Sequence, residues 1–328
     1  MVLSKAQKEA GLNEYKGNIF EYLVGQTLSR FDHLESDFID HIHPQFLGLL
    51  NLYQQKLISG DRELFRQLPH MAQATAKEIK KFFPAPLNRV ELCGKFNLQH
   101  NGVADLMIDY GGEKKFVSLK LCKEGAFVNT KSGGFKSFIT RYFSFAPDAE
   151  KLQNFLNEYL ANSFLQMTNE LLEFHGLSIQ SQELHFSDVW KNLGRPDLPG
   201  ALSAQEQKII KAHYHRIISQ LFLVVEKLSL EHHDDFCQSI KVLIGQGLAT
   251  DITWQFSYFY REEQQVKYLP GRVQALKSEP VTSAHLSAPK KNVSFFVIQL
   301  AHCLLQIRVK PMNIFTVPSL KINCSVKY

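Results

Sequence analysis

The segment NGVADLMIDYGGEKKFVSLKLCKE, residues 101–124, decides how the chain is read. Two apolar runs, 103–108 and 116–121, flank the polar segment DYGGEKK at 109–115, a pattern that predicts a β-hairpin. Asp105 enters the first run after Gly102, and Lys120 sits inside the second with apolar neighbours on both sides. A charge removed from water needs a partner, a metal or an open cleft. If the hairpin brings the two together, the carboxylate can hold a divalent cation while the ammonium sits beside the same small volume. That pairing is the core of a metal-dependent phosphodiesterase site.

Composition bounds what can surround this hairpin. The 328 residues, 45% hydrophobic, suffice for two domains or one large domain with insertions. A net charge of +5 allows an acidic partner such as nucleic acid without requiring one. Cys93, Cys122, Cys237, Cys303 and Cys324 have no CxxC spacing and are odd in number, which argues for a reducing compartment and against a disulfide scaffold or zinc ribbon. The opening MVLSKAQKEAGLNEYKG lacks the apolar run of a signal peptide, and no stretch of about 18 apolar residues could span a bilayer. The expectation is a soluble, cytoplasmic protein with no membrane partner.

In chain order, residues 13–28 read as a helix with Ile19, Phe20, Leu23 and Val24 at helical spacing. Glu21 borders that stripe, either as a boundary residue paired with a lysine or as a carboxylate aimed at the hairpin. Residues 44–57 and 61–83 continue the helical layer until Pro84 and Pro86 end it. Residues 88–96 form the first strand candidate, so three strands in succession predict an antiparallel meander. Residues 121–134 read as a loop that wraps toward a substrate, followed by helices over 135–145 and 149–174. The stretch LGRPDLPG at 193–200 is the best linker candidate, dividing a unit of residues 1–190 from one of 201–328. Helices over 203–226 and 229–243 follow, with His213, His215, His232 and His233 read as surface or helix-packing residues. The last hundred residues turn β-rich, with strands at 253–261, 293–300 and 303–309, a turn at Pro270 and Gly271, and basic residues spread among aromatic and small polar ones. Those cations form either a solvated face or a set of phosphate contacts.

No glycine-rich phosphate loop or G-x-S-x-G elbow is present, which counts against P-loop ATPases, kinases, serine hydrolases and nicotinamide dehydrogenases. A helix with a glutamate, a strand bearing Asp105 and a next strand bearing Ser118-x-Lys120 together resemble the PD-(D/E)xK nuclease superfamily, and within it type II restriction endonucleases. The specific match covers residues 13–145, and RVKPMN at 308–313 through KINCS at 321–325 has the look of sequence-specific restriction enzymes. Two departures stand out. Ala104 replaces the motif proline, and Ser118 replaces the first acid of E-x-K. Some restriction endonucleases carry the same S-x-K version and recruit an acid from elsewhere, for which Glu21 is the first choice and Glu124 the second.

The resemblance implies an α/β fold: a PD-(D/E)xK core with a mixed central sheet flanked by helices, large helical additions and a β-rich C-terminal region. It implies a Mg²⁺-dependent endonuclease that cuts double-stranded DNA at a defined sequence, with Mn²⁺ as a substitute and a homodimer as the expected assembly. Asp105, Lys120, Ser118 and Glu21 would be catalytic, with Asp105, Glu21 and Glu124 as metal ligands. Asp109 shares a strand face with Asp105 but lies near the turn. Lys123, Asn129, Lys131, Lys136, Arg308, Lys310 and Asn313 are candidate DNA contacts, the lysines after Lys120 for phosphates. A structure-specific or general DNA or RNA nuclease, and a non-catalytic DNA-binding protein with a degenerate nuclease fold, are the alternatives.

Overall fold

The computed structural model describes residues 5–93, 104–177, 185–246, 252–264 and 266–328. Among them lie two five-stranded sheets and a set of helices, making a mixed α/β protein. The chain begins with α1 (Lys5–Phe31), α2 (Glu35–Asp40), α3 (Pro44–Gly60) and α4 (Arg62–Phe82), then β1 (Arg89–Leu92), β2 (Leu106–Tyr110) and β3 (Glu113–Lys123). Next come β4 (Val128–Gly134), α5 (Phe138–Tyr142), α6 (Ala149–Phe174), α7 (Phe186–Asn192), α8 (Ala204–Glu231) and α9 (His233–Leu243). It closes with β5 (Ile252–Glu263), β6 (Val266–Lys277), β7 (His285–Ser287), β8 (Phe295–Gln299), β9 (Leu304–Pro311) and β10 (Leu320–Lys327). Two compact units result, Met1–Ala126 with Gln246–Glu279 and Phe127–Gly245 with Pro280–Tyr328. No helix among the described residues is long and apolar enough to cross a membrane.

In the first unit, the sheet runs β1-β2-β3-β5-β6, antiparallel except for the parallel β3–β5 pair. Ile19, Phe20, Val24 and Leu28 recur at helical spacing on α1 and are buried, as are Leu64, Leu68, Met71, Ala72, Ala76 and Ile79 on α4. The α4 start is set by Asp61, whose carboxylate accepts the Leu64 amide at 3.1 Å. Against these helices pack Val90, Leu106, Ile108, Val117, Leu119, Phe256 and Tyr258. Because successive strand residues alternate faces, this core claims one side of the sheet and leaves Ser118 and Lys120 on the other.

In the second unit, the sheet runs β4-β10-β9-β8-β7, antiparallel throughout. On β10, Leu320, Ile322, Cys324 and Val326 are buried at every second position, the signature of a sheet with one face on a core. Helix α8 opens with a capping box in which Ser203 Oγ accepts the Glu206 amide and Glu206 accepts the Ser203 amide. His213 lies buried on α8, within 2.9 Å of Ser163 Oγ on α6, so it serves helix packing.

Several expectations change. The segment 193–200 lies inside the second unit, where Trp190 donates to the Pro196 carbonyl and Arg195 pairs with Glu206 at 2.5 Å; its prolines and glycines turn the chain between α7 and α8. The division therefore falls elsewhere than between 1–190 and 201–328. Residues 121–134, read as a loop, instead finish β3 and build β4, and the tail supplies β10. Pro270 and Gly271 sit within β6 rather than at a turn. β6 is an edge strand, where a residue lacking an amide proton is tolerated. A Cβ at Gly271 would lie 1.6 Å from the Phe259 carbonyl oxygen, so that close approach requires glycine.

Gly271→Ala is expected to destabilise the protein by about 2–4 kcal/mol, read as a shifted denaturant midpoint. A second expectation concerns pH. Burial, and then the Arg216 charge, pull His213 down to about 4. Above the unfolded-state value the histidine is neutral in both states. As pH falls from about 6.5 toward 4 only the unfolded chain takes the proton, and about 2–3 kcal/mol of stability is lost. Denaturation of the wild type and His213→Gln across that window should show the difference shrinking as pH falls.

Candidate active site

The hairpin of the first unit turns on Gly111 and Gly112, with φ of 62° and 80°, the positive values that a two-residue turn between twisted strands demands. Tyr110 pairs with Glu113 and Leu106 with Val117, so the strands extend almost to the turn, and Asp109 and Lys115 are strand residues. Asp105 immediately precedes β2 and is fixed by its own backbone. Its amide donates to the Val117 carbonyl at 2.9 Å, and its carbonyl accepts the Cys93 amide at 3.0 Å. That register sets its side chain beside the centre of β3.

Asp105 Oδ2 accepts three donors: the Leu119 amide at 2.6 Å, Ser118 Oγ at 3.0 Å and Lys120 Nζ at 3.2 Å. The Asp105 side chain is 17% and the Lys120 side chain 28% exposed, so the pair is largely withdrawn from water. Burial by itself would lower the Lys120 pKa. The negative charge of Asp105, then that of Glu21, and the hydrogen bond to Asp105 outweigh burial and hold it above the ordinary lysine value. Lys120 is therefore a fixed cation at neutral pH. Ser118 is buried and donates its hydroxyl to Asp105.

The next strand widens this polar patch. In parallel register Ser118 lies beside Gln255 and Lys120 beside Ser257, and Ser257 pairs in turn with Gln274 on β6. Gln255 Nε2 donates to Ser257 Oγ at 3.3 Å, and both residues are buried. The sequence held a signal for them, since Gln255 and Ser257 alternate with Trp254, Phe256 and Tyr258; what it lacked was the strand they would lie beside. A second missed group is Glu91 on β1, buried and within 2.7 Å of Arg89. Burial first, then the charges of Glu91 and Asp105, push the Cys93 thiol up to about 12, so both carboxylates lie near that sulfur.

Other candidates are placed as follows. Glu21 is close enough for its charge to raise Lys120. Glu124 lies four residues beyond Lys120, about 13 Å along an extended strand. It is exposed, with a carboxylate oxygen 3.8 Å from Arg272. Lys123 pairs with Glu262 at 2.6 Å. Asp109 accepts the Asn88 side-chain amide at 3.1 Å. Asn129 and Lys131 on β4, Lys136 in the 3-10 turn Phe135–Ser137, Arg308 and Lys310 on β9, and Asn313 after it all belong to the second unit. Among the described residues no three of His, Cys, Asp and Glu are grouped to hold a metal ion. The donor set is thus one well-positioned carboxylate with a second in electrostatic reach of the same lysine. No family model, characterised protein or solved structure matches the chain.

Asp105→Asn removes the nearest charge that sustains the Lys120 ammonium, leaving burial opposed mainly by Glu21. The Lys120 pKa should fall, and acylation of Lys120 near neutral pH, followed by peptide mass spectrometry, should speed up several-fold relative to the wild type.

Proposed function

We propose that Asp105, Ser118 and Lys120 form the active site of a metal-dependent phosphodiesterase of the PD-(D/E)xK kind, acting as a sequence-specific endonuclease on double-stranded DNA. One observation carries the reading: a lysine on β3 held in its charged form 3.2 Å from an aspartate at the entry to the neighbouring strand β2. Asp105 and Glu21 would hold Mg²⁺, which binds through one or two carboxylates together with water and substrate oxygens and so needs no all-protein cage. Mn²⁺ would serve in its place. The cation, when bound, neutralises phosphate charge and acidifies a water.

The chain's own groups supply the rest. Lys120, kept protonated, is unsuited to remove a proton from water and well suited to stabilise negative charge growing on the phosphate oxygens. Ser118 can hold a water in line through its hydroxyl while restraining Asp105. Gln255 and Ser257, buried beside Ser118 and Lys120, extend the polar layer beneath the pair. Cutting both strands of a palindrome is served by two-fold symmetry, which makes a homodimer the assembly to look for by light scattering.

A second reading follows from the small donor set. With Ser118 in the acid's place, the pair is an ordinary ion pair in a DNA-binding protein that does not cleave. Incubation of the protein with long mixed-sequence duplex DNA separates the two readings, with Mg²⁺ or Mn²⁺, with chelator, and with Lys120→Ala alongside. Discrete metal-dependent fragments, reduced at least about a hundredfold in the variant, are expected. A smear lost in the variant would make the enzyme a general nuclease, and folded protein that binds without cutting under either metal would establish the second reading.

A further inference from the structure

The second unit presents a sheet without acid. Its strands read VNTKSGG, HLS, FFVIQ, LLQIRVKP and LKINCSVK, and none contains Asp or Glu. Residues 280–328 contain none either, while carrying Lys290, Lys291, Arg308, Lys310, Lys321 and Lys327. Alternation sorts these strands into two faces. Ile322, Cys324, Val326, Leu305, Ile307 and Val309 are buried on one. On the other, Lys321 pairs directly with Lys310 across β10 and β9, and Asn323 pairs with Arg308 one step along.

Like charges set opposite each other on neighbouring strands destabilise a sheet. Burial, then the charges of Lys321 and Arg308, lower the Lys310 pKa, so the three cations sense one another. A folded protein that keeps such repulsion with no carboxylate on the sheet to relieve it is matched to a polyanion. Neutral donors lie between the cations: Ser132 on β4 donates to the Asn323 side-chain carbonyl at 2.9 Å. Phe295 on β8 faces the same way and is covered by the Arg308 guanidinium, 5.1 Å from the ring centre. Single-stranded nucleic acid is held largely by stacking on open aromatic rings. Here the aromatic ring is capped and the face offers charge and hydrogen bonds, the contacts by which proteins grip a duplex backbone.

We infer that the β4-β10-β9 face of the second unit binds the phosphate backbone of duplex DNA, through Arg308, Lys310 and Lys321 with Asn323 and Ser132 between them. This goes beyond the cleavage chemistry assigned to the first unit and does not rest on it, since binding is measurable with every divalent cation chelated.

The test is fluorescence anisotropy of a labelled mixed-sequence duplex in EDTA across a salt series. It compares the wild type, the sheet variant Arg308→Gln/Lys310→Gln/Lys321→Gln, and a control, Lys151→Gln/Lys208→Gln/Lys211→Gln, that removes the same charge from exposed helix positions. The sheet variant should bind at least about tenfold more weakly, with the log–log salt slope reduced by about 2.7, and the control should stay within about twofold of the wild type. Relief of the Lys310–Lys321 repulsion predicts that the sheet variant melts no lower than the wild type. If the triple variant nevertheless fails to fold, Lys310→Gln alone should lower the slope by about 1. Unchanged binding by a folded sheet variant, an equal loss in the control, or tighter wild-type binding to single-stranded RNA or phosphatidylserine vesicles than to the duplex would overturn the assignment.

Discussion

The parallel pairing of β3 with β5 is the constraint on which the first unit depends. Antiparallel neighbours can be joined by two residues, as Gly111 and Gly112 join β2 to β3, but parallel neighbours require the chain to travel back before it pairs. The return path here includes β4 and α5 to α9, all within the second unit. The first unit's sheet is therefore assembled from segments on either side of residues 127–245, and both units are discontinuous in sequence. The same pairing puts Gln255 and Ser257 beside Ser118 and Lys120, so the polar floor of the site is drawn from residues more than a hundred positions apart.

Around Asp105 the charge balance is nearly closed. One carboxylate oxygen takes a backbone amide, a hydroxyl and an ammonium, which offsets the cost of withdrawing the pair from water. The surrounding carboxylates then tune it: Glu21 reinforces the charged form of Lys120, and Glu91, held by Arg89, adds to the field on Cys93. A serine at position 118 suits this balance, since a negative charge at that buried position would need a cation of its own. The serine keeps the hydrogen bond and omits the charge.

The second unit treats charge in the opposite way. Several charges in its helical part are compensated, as where Glu206 receives Arg195, His175 and the Ser203 amide, and Lys227 meets Asp148. Its sheet keeps cations facing cations. The contrast within one unit separates charges paired with opposite charges from cations that face one another across β9 and β10.

Local pattern determined much of this protein. The hairpin, the meander of β1 to β3, the helices α6, α8 and α9, and the pairing of Asp105 with Lys120 were all readable, because each rests on residues near one another in sequence and on a period of two or 3.6. The tertiary structure decided the rest. Residues 121–134 looked like a loop because Gly, Asn and Lys are weak strand formers alone, yet β4 is held by its pairing with β10. Pro270 and Gly271 looked like a turn, but an edge position and the approach of Phe259 turn them into strand. Residues 193–200 looked like a linker, although their Pro and Gly shape a turn inside a unit. Glu91, Gln255 and Ser257 joined the site only through register, which is a property of strand pairs and is not written in either strand by itself.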